Sequence, residues 1–141
     1  MKWNLLESDK CWEIRKGSLK ARVYARKDKA GKEIFTAGVF EQKTKDGYTF
    51  QSTVAVKNKF KTVRYAFEWA EMIMKKKLDV EVDVWKLMVE KGGAYLALKK
   101  EELAMNLIPM VEEMEECDGF IIEKTKMKRG ELEGLPEFEG F

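Results

Sequence analysis

The chain has no histidine and only two cysteines among its 141 residues. Without imidazole there is no Ser-His-Asp triad, no Cys-His pair, no His-ligated zinc and no histidine acid–base step. Cys11 and Cys117 stand too far apart in sequence to form a metal knuckle. In a reducing compartment they read as two buried thiols, with a disulfide as the lesser alternative. No apolar run approaches the roughly 20 residues that cross a bilayer. Residues Met1–Ser8 turn polar too soon for a signal peptide. The expectation is a cytoplasmic protein with no membrane partner. Asparagine and glutamine are scarce while Lys and Glu dominate, a bias that fits a thermophile, where ion-pair networks gain value. There is no Walker loop and no GxGxxG, and Gly92-Gly93 alone reads as a helix stop, so no cofactor is expected.

What is present is enough for one domain. Hydrophobic residues make up 45% of the chain, sufficient for a core. The net charge of +2 hides an asymmetry, with 19 basic and 9 acidic side chains in residues 1–77 against 8 and 16 in residues 78–141. A basic first part joined to an acidic second part points to a polyanion-binding module. The plainer alternative is a solvated surface whose charges fell unevenly.

The first sixty residues read as strands. Cys11–Lys16 is a short one, followed by a turn at Gly17-Ser18, and Leu19–Lys27 alternates with period two. Gly31 marks a hairpin loop over Asp28–Lys32, Glu33–Lys43 is strand-like, and Asp46-Gly47 is a hairpin turn before Tyr48–Lys57. Asn58 is placed to cap a helix over Phe60–Lys77, where Val63, Phe67, Ala70 and Met74 fall at helical spacing. Tyr65, Trp69 and Met72 lie on a third side, so this helix is expected to be covered on more than one face. Beyond it, Asp79–Glu90 reads as a helix, Ala94–Leu98 as strand or helix, Lys99–Glu116 as a helix kinked or divided at Pro109, and Gly119–Thr125 as a last strand. The expected fold class is α+β: an antiparallel four-stranded meander sheet backed by a long helix, followed by a mainly helical C-terminal region. The expected organisation is a single domain over residues 1–128, with a basic sheet-plus-helix module at 1–77, an acidic, mainly helical part at 78–128, and a flexible acidic tail at 129–141.

The strand Leu19–Lys27 carries the functional argument. Leu19, Ala21, Val23 and Ala25 share one face, and Lys20, Arg22, Tyr24 and Arg26 share the other. The apolar set faces the helix, which leaves three cations around one ring outside. Alternation in the next strand puts Phe40 on the outer face, and in the fourth it buries Phe50, Val54 and Val56 and exposes Thr49, Gln51, Thr53, Ala55 and Lys57. Lys57, Lys59, Lys61 and Arg64 cluster at the strand–helix junction, where a helix N-terminus favours phosphate. Trp12, beside Arg15 and Lys16, is a further candidate platform; Trp3, Trp69 and Trp85 are expected in packing roles. Exposed rings stack unpaired bases while cations follow the backbone, a mixture suited to single strands. The expected interface is therefore Arg15, Lys20, Arg22, Tyr24, Arg26, Phe40, Lys57, Lys59 and Arg64. Tyr24 and Phe40 also admit a simpler role beneath another part of the chain.

The end of the chain alternates acidic and apolar residues and finishes in Phe. It resembles the acidic, Phe-terminated tails of bacterial and phage single-stranded-DNA-binding proteins, which implies that Phe138 and Phe141 meet a protein partner. The alternative is a terminus that docks on its own protein. The ββββα order of residues 1–77 resembles the Whirly, PUR and transcription-coactivator class of single-strand binders. The basic sheet module followed by a helical region also resembles ThermoDBP and its relatives. That resemblance implies an aromatic, basic cleft and oligomerisation through the C-terminal region, hence a homodimer or other homo-oligomer. No RRM or KH motif is present.

Enzymatic readings find little support. Asp79, Glu81 and Asp83 would share one side only on a strand, where with Lys86 they could serve a metal nuclease; the helix reading spreads them apart. No catalytic residue and no metal ligand is expected. The second reading is a protein–protein adaptor or assembly subunit acting through the Met-rich C-terminal half, with Met105, Met110 and Met114 in helical stretches.

Overall fold

The computed structural model describes residues 1–6, 10–90, 93–116 and 119–138. The chain forms two compact units, Met1–Leu78 and Asp79–Phe141.

The first unit is a five-stranded antiparallel meander: β1 (Asn4–Leu6), β2 (Cys11–Lys16), β3 (Leu19–Lys27), β4 (Glu33–Lys45) and β5 (Tyr48–Phe60), hydrogen-bonded in that order. The turns explain the order. Asp46 and Gly47 both have positive φ, the geometry of a two-residue hairpin whose twist matches its strands. In the β3–β4 loop, Asp28 Oδ1 accepts hydrogen bonds from the amides of Ala30 and Lys32, both at 2.9 Å. Helix α1 (Val63–Leu78) follows. Its first turn is capped by Thr62, whose hydroxyl accepts the Tyr65 N–H at 3.3 Å, and not by Asn58, which lies in β5. Lys75, Lys76 and Lys77 sit in the last turn, where the helix dipole favours cations.

Ala66, Ala70, Met74 and Leu78 recur every fourth residue and are buried against Leu19, Ala21, Val23, Phe35, Ala37 and Val39. The alanines let the helix backbone approach the sheet, and Met74 fills the remaining depth. An aromatic cluster closes one end: Trp3 stacks on Phe67 with centroids 4.4 Å apart, and Trp12 meets Phe67 edge-on at 5.9 Å. Trp3 Nε1 donates to Glu71 Oε1 at 2.8 Å, which ties the N-terminal segment to α1. The third side of the helix is not covered as expected. Tyr65 and Met72 are 60% and 57% exposed.

The second unit overturns the expectation of a mainly helical C-terminal region. Its centre is a three-stranded antiparallel sheet in the order β7 (Tyr95–Leu98), β6 (Glu81–Val89), β8 (Phe120–Lys128). The stretch read as a helix from Asp79 is β6. Val82, Val84, Trp85 and Val89 are β-branched or aromatic and favour a pleated surface, and Glu81 and Asp83 alternate with valines at period two. The four-stranded count is also corrected, because β1 adds a fifth strand by pairing Leu5 with Trp12. Helix α2 (Lys100–Glu112) runs through Pro109 and buries no residue completely. Its Leu103, Leu107 and Met110 are half-buried, while Met105, Ile108 and Val111 are exposed. The stretch read as a flexible tail from residue 129 begins instead with α3 (Arg129–Leu132). The Arg129 N–H bonds to the Val80 carbonyl at 2.9 Å, and the largely buried Arg129 side chain donates to Glu133 at 2.7 Å.

Candidate nucleic-acid interface

Ladder register builds the outer face of the first sheet. Lys20 lies opposite Phe40, Arg22 opposite Gly38, Tyr24 opposite Thr36 and Arg26 opposite Ile34. On the other side Arg15 pairs with Lys20 and Glu13 with Arg22. Paired residues share a face, so Arg15, Lys20, Arg22, Tyr24, Arg26 and Phe40 stand together as expected. Lys20, Tyr24 and Phe40 are half-buried, and Arg15 and Arg26 are exposed.

Three features of this face were not anticipated. The first is Glu13, a buried carboxylate in the middle of the cations. Its two oxygens each accept from one guanidinium, Arg15 Nε and Arg22 Nε, both at 2.6 Å. Burial alone would raise the Glu13 carboxyl, but the hydrogen bonds and charges of Arg15 and Arg22 outweigh it and hold the group below the ordinary carboxylate range. The same contact raises Arg22, whose Nη1 also reaches the Tyr24 hydroxyl at 3.5 Å. Lys20 is lowered, first by burial and then by the neighbouring Arg22 charge. Glu13 therefore fixes the two arginines in place beside Tyr24 and leaves the face basic.

The second feature is the pose of Phe40. A side chain at Gly38 would meet the Phe40 ring at 2.6 Å, so the ring lies across the glycine on the outer surface. The third is a change of parity in β5. Register shifts interrupt the β4–β5 ladder between Phe35 and Ala37 and between Val39 and Phe40. Each leaves extra β5 residues unpaired and turns the strand over. Thr49, Gln51 and Thr53 hold the outer face, but Val56 now pairs with Gly38 there and Lys57 pairs with Ala37. Val56 is 52% exposed and Phe50 46% exposed, so neither is the buried residue expected; Val54 alone of that set packs on the core. Lys57 leaves the outer face for the helix side, where its Nζ lies 5.4 Å over the Phe60 ring. The Thr36 hydroxyl, opposite the bulge, is buried with no hydrogen-bond partner among the described residues.

Trp12 also faces the helix side, against Phe35 and Phe67, and is not a base platform. Arg64 is exposed and bonded to Glu68 at 2.8 Å, which offsets part of its charge. A cleft of about 290 Å³ on the outer face is lined by Arg15, Lys20, Phe40, Gln42 and Gln51. At the other end of the face Arg26 donates across β4 to Asn58 at 2.7 Å. Beside it opens a cleft of about 690 Å³ with Arg26, Lys27, Lys29, Lys32, Lys59 and Lys61 around Ile34.

In the second unit, Glu81 and Asp83 do share one side of a strand, yet no metal-binding cluster forms among the described residues. Lys124 donates to Asp83 at 2.9 Å and holds its carboxyl below the usual range, and Lys128 lies 3.6 Å from Asp79. Phe138 lines a cleft with Tyr95 and Leu135, whereas Phe141, Cys117 and Gly92 lie outside the described residues. Cys11 is buried, 3% exposed. No helix among the described residues is long and apolar enough to cross a membrane.

Comparison with known proteins returns no matching family model, no matching curated relative and no matching solved structure.

Proposed function

We propose that this protein binds single-stranded DNA or RNA, with little sequence preference, on the outer face of its five-stranded sheet. One observation carries the reading: the ladder gathers Arg15, Lys20, Arg22, Tyr24 and Arg26 on one surface with a Phe40 ring laid over Gly38. Unpaired bases offer π faces to Tyr24 and Phe40, while the cations track phosphates and release counterions. A duplex hides its bases and gains little from such rings. Glu13 supports the reading, because Arg15 held through Nε presents both Nη groups to a phosphate, and Arg22, whose Nη1 reaches Tyr24, presents Nη2.

The test is fluorescence anisotropy of a labelled single-stranded oligonucleotide at two salt concentrations. Binding should weaken as salt rises, and Arg22→Ala should flatten the salt dependence. Gly38→Ala, which displaces the Phe40 ring, should weaken binding with little change in folding. Salt-independent binding, or equal affinity for a duplex, would overturn the proposal.

A second reading is favoured by one observation in the other unit. Met105, Ile108 and Val111 leave an exposed apolar row on α2, the kind of surface that a second copy of the chain or another protein covers. Light scattering tests it: self-association that Ile108→Ser abolishes would support an assembly role.

A further inference from the structure

The two clefts at the end of β5 share Asn58, Lys59 and Lys61. We propose that this segment carries a bound single strand off the outer face and around the edge of the sheet, with phosphates on the hairpin side and the following bases stacked against Phe60, Tyr65 and Trp69 on the helix side. The inference rests on the polynucleotide reading above and adds a second base-stacking site to it.

Backbone strain marks the place. Lys59 has a φ of 64°, a left-handed conformation that disfavours a lysine side chain. It sits in the bulge where Asn58 and Lys59 together oppose Thr36. Bulges re-aim side chains, and here the bulge lets Lys59 and Lys61 line both clefts. On the hairpin side Asp28 is the one acid in the lining, and its Oδ1 is already held by two backbone amides. Arg26 links this cleft to the outer face through its bond to Asn58.

The helix side offers rings. Phe60 and Trp69 lie with centroids 5.8 Å apart and line a groove of about 540 Å³ with Tyr65 and Met72. Tyr65 is 60% exposed and contributes little to the core, and Lys57 sits over Phe60. The exposed Tyr65 ring, with the half-buried rings of Phe60 and Trp69 beside it and cations at the end of a cationic cleft, matches alternating phosphate and base.

Anisotropy with two oligothymidylates tests the path: a short one that covers only the outer face and a longer one that reaches the groove. Tyr65→Ala and Lys59→Gly should each weaken the long oligonucleotide by about tenfold and leave the short one unchanged. Lys59→Gly should also raise the melting temperature, because glycine accepts the left-handed backbone, which separates lost binding from lost folding. Equal effects on both lengths, or none on either, would overturn the inference. Loss with Tyr24→Ala but not Tyr65→Ala removes the second site alone. A wild-type chain that binds neither length removes the functional reading with it.

Discussion

The two units bury their helices to different degrees. In the first, α1 places Ala66, Ala70 and Met74 at full burial against the centre of the sheet. In the second, α2 buries no residue completely, and among the described residues complete burial is confined to strand residues such as Val84 and Leu87. Ile121 and Ile122 of the edge strand β8 are both about half exposed, although they point to opposite faces. Small residues at a helix–sheet contact allow close approach and high packing density. A helix that carries apolar residues on two sides, as α2 does, leaves one of them to solvent or to another molecule.

The contrast can be broken most sharply at the cores. Met74→Ala should cost about 2–5 kcal/mol, whereas Leu107→Ala on half-buried α2 should cost about 1 kcal/mol. Urea unfolding followed by tryptophan fluorescence resolves the two, since Trp3, Trp12 and Trp69 report the first unit and Trp85 the second. Equal losses would erase the difference.

Acid sharpens the comparison next. The Glu13 carboxyl is depressed in the folded chain, so its contribution is present above its ordinary value of 4.5 and is lost as pH falls through the lower folded value. Glu13→Gln should flatten that slope and cost on the order of 2 kcal/mol near neutrality, where Arg15 and Arg22 lose the buried carboxylate that holds them. Asp83 is depressed as well, but its ion pair with Lys124 is exposed and screened by solvent, so Asp83→Asn should leave the acid limb of the melting curve nearly unchanged.

Binding comes third. Tyr24→Ala should lower single-strand affinity by about tenfold, within the range for loss of one stacked base. Charge reversal of Lys86 in the second unit should change it far less. The smallest effect is expected on the exposed row: Ile108→Ser should move stability by no more than about 0.5 kcal/mol. A larger loss in a concentration-dependent melt would mean that the row is covered by a second copy.

How much of this was legible depended on how regular each ladder is. The alternation of Leu19–Lys27 gave β3 its full extent and the correct face for every residue, because no bulge interrupts its pairing with β2 or β4. In β5 the same reasoning placed Thr49, Gln51 and Thr53 correctly and failed from Ala55 onward, since Ala55 pairs with Val39 on the helix side. Each extra residue flips the parity, and nothing in the sequence marks Val54 as one. Glu13 was hidden for another reason. A lone acid in a strand reads as solvated unless the strand is already known to lie beside Arg22. The β6 error was one of punctuation. Asp79 and the glycines after Glu90 look like the two ends of a helix, and they outweighed a Glu–Val–Asp–Val alternation with the period of a strand. Proline misled less, since α2 continues through Pro109.

The doubly bulged β5 has a consequence for the long-term behaviour of the molecule. A flat outermost strand can template the addition of an identical one and so seed fibrils. Here one border of the sheet is only three residues long, and the other is broken twice and carries Lys57 and Lys59. Any engineered straightening of that border, by deleting Val54 or Lys59, would trade a crooked rim for a self-templating one.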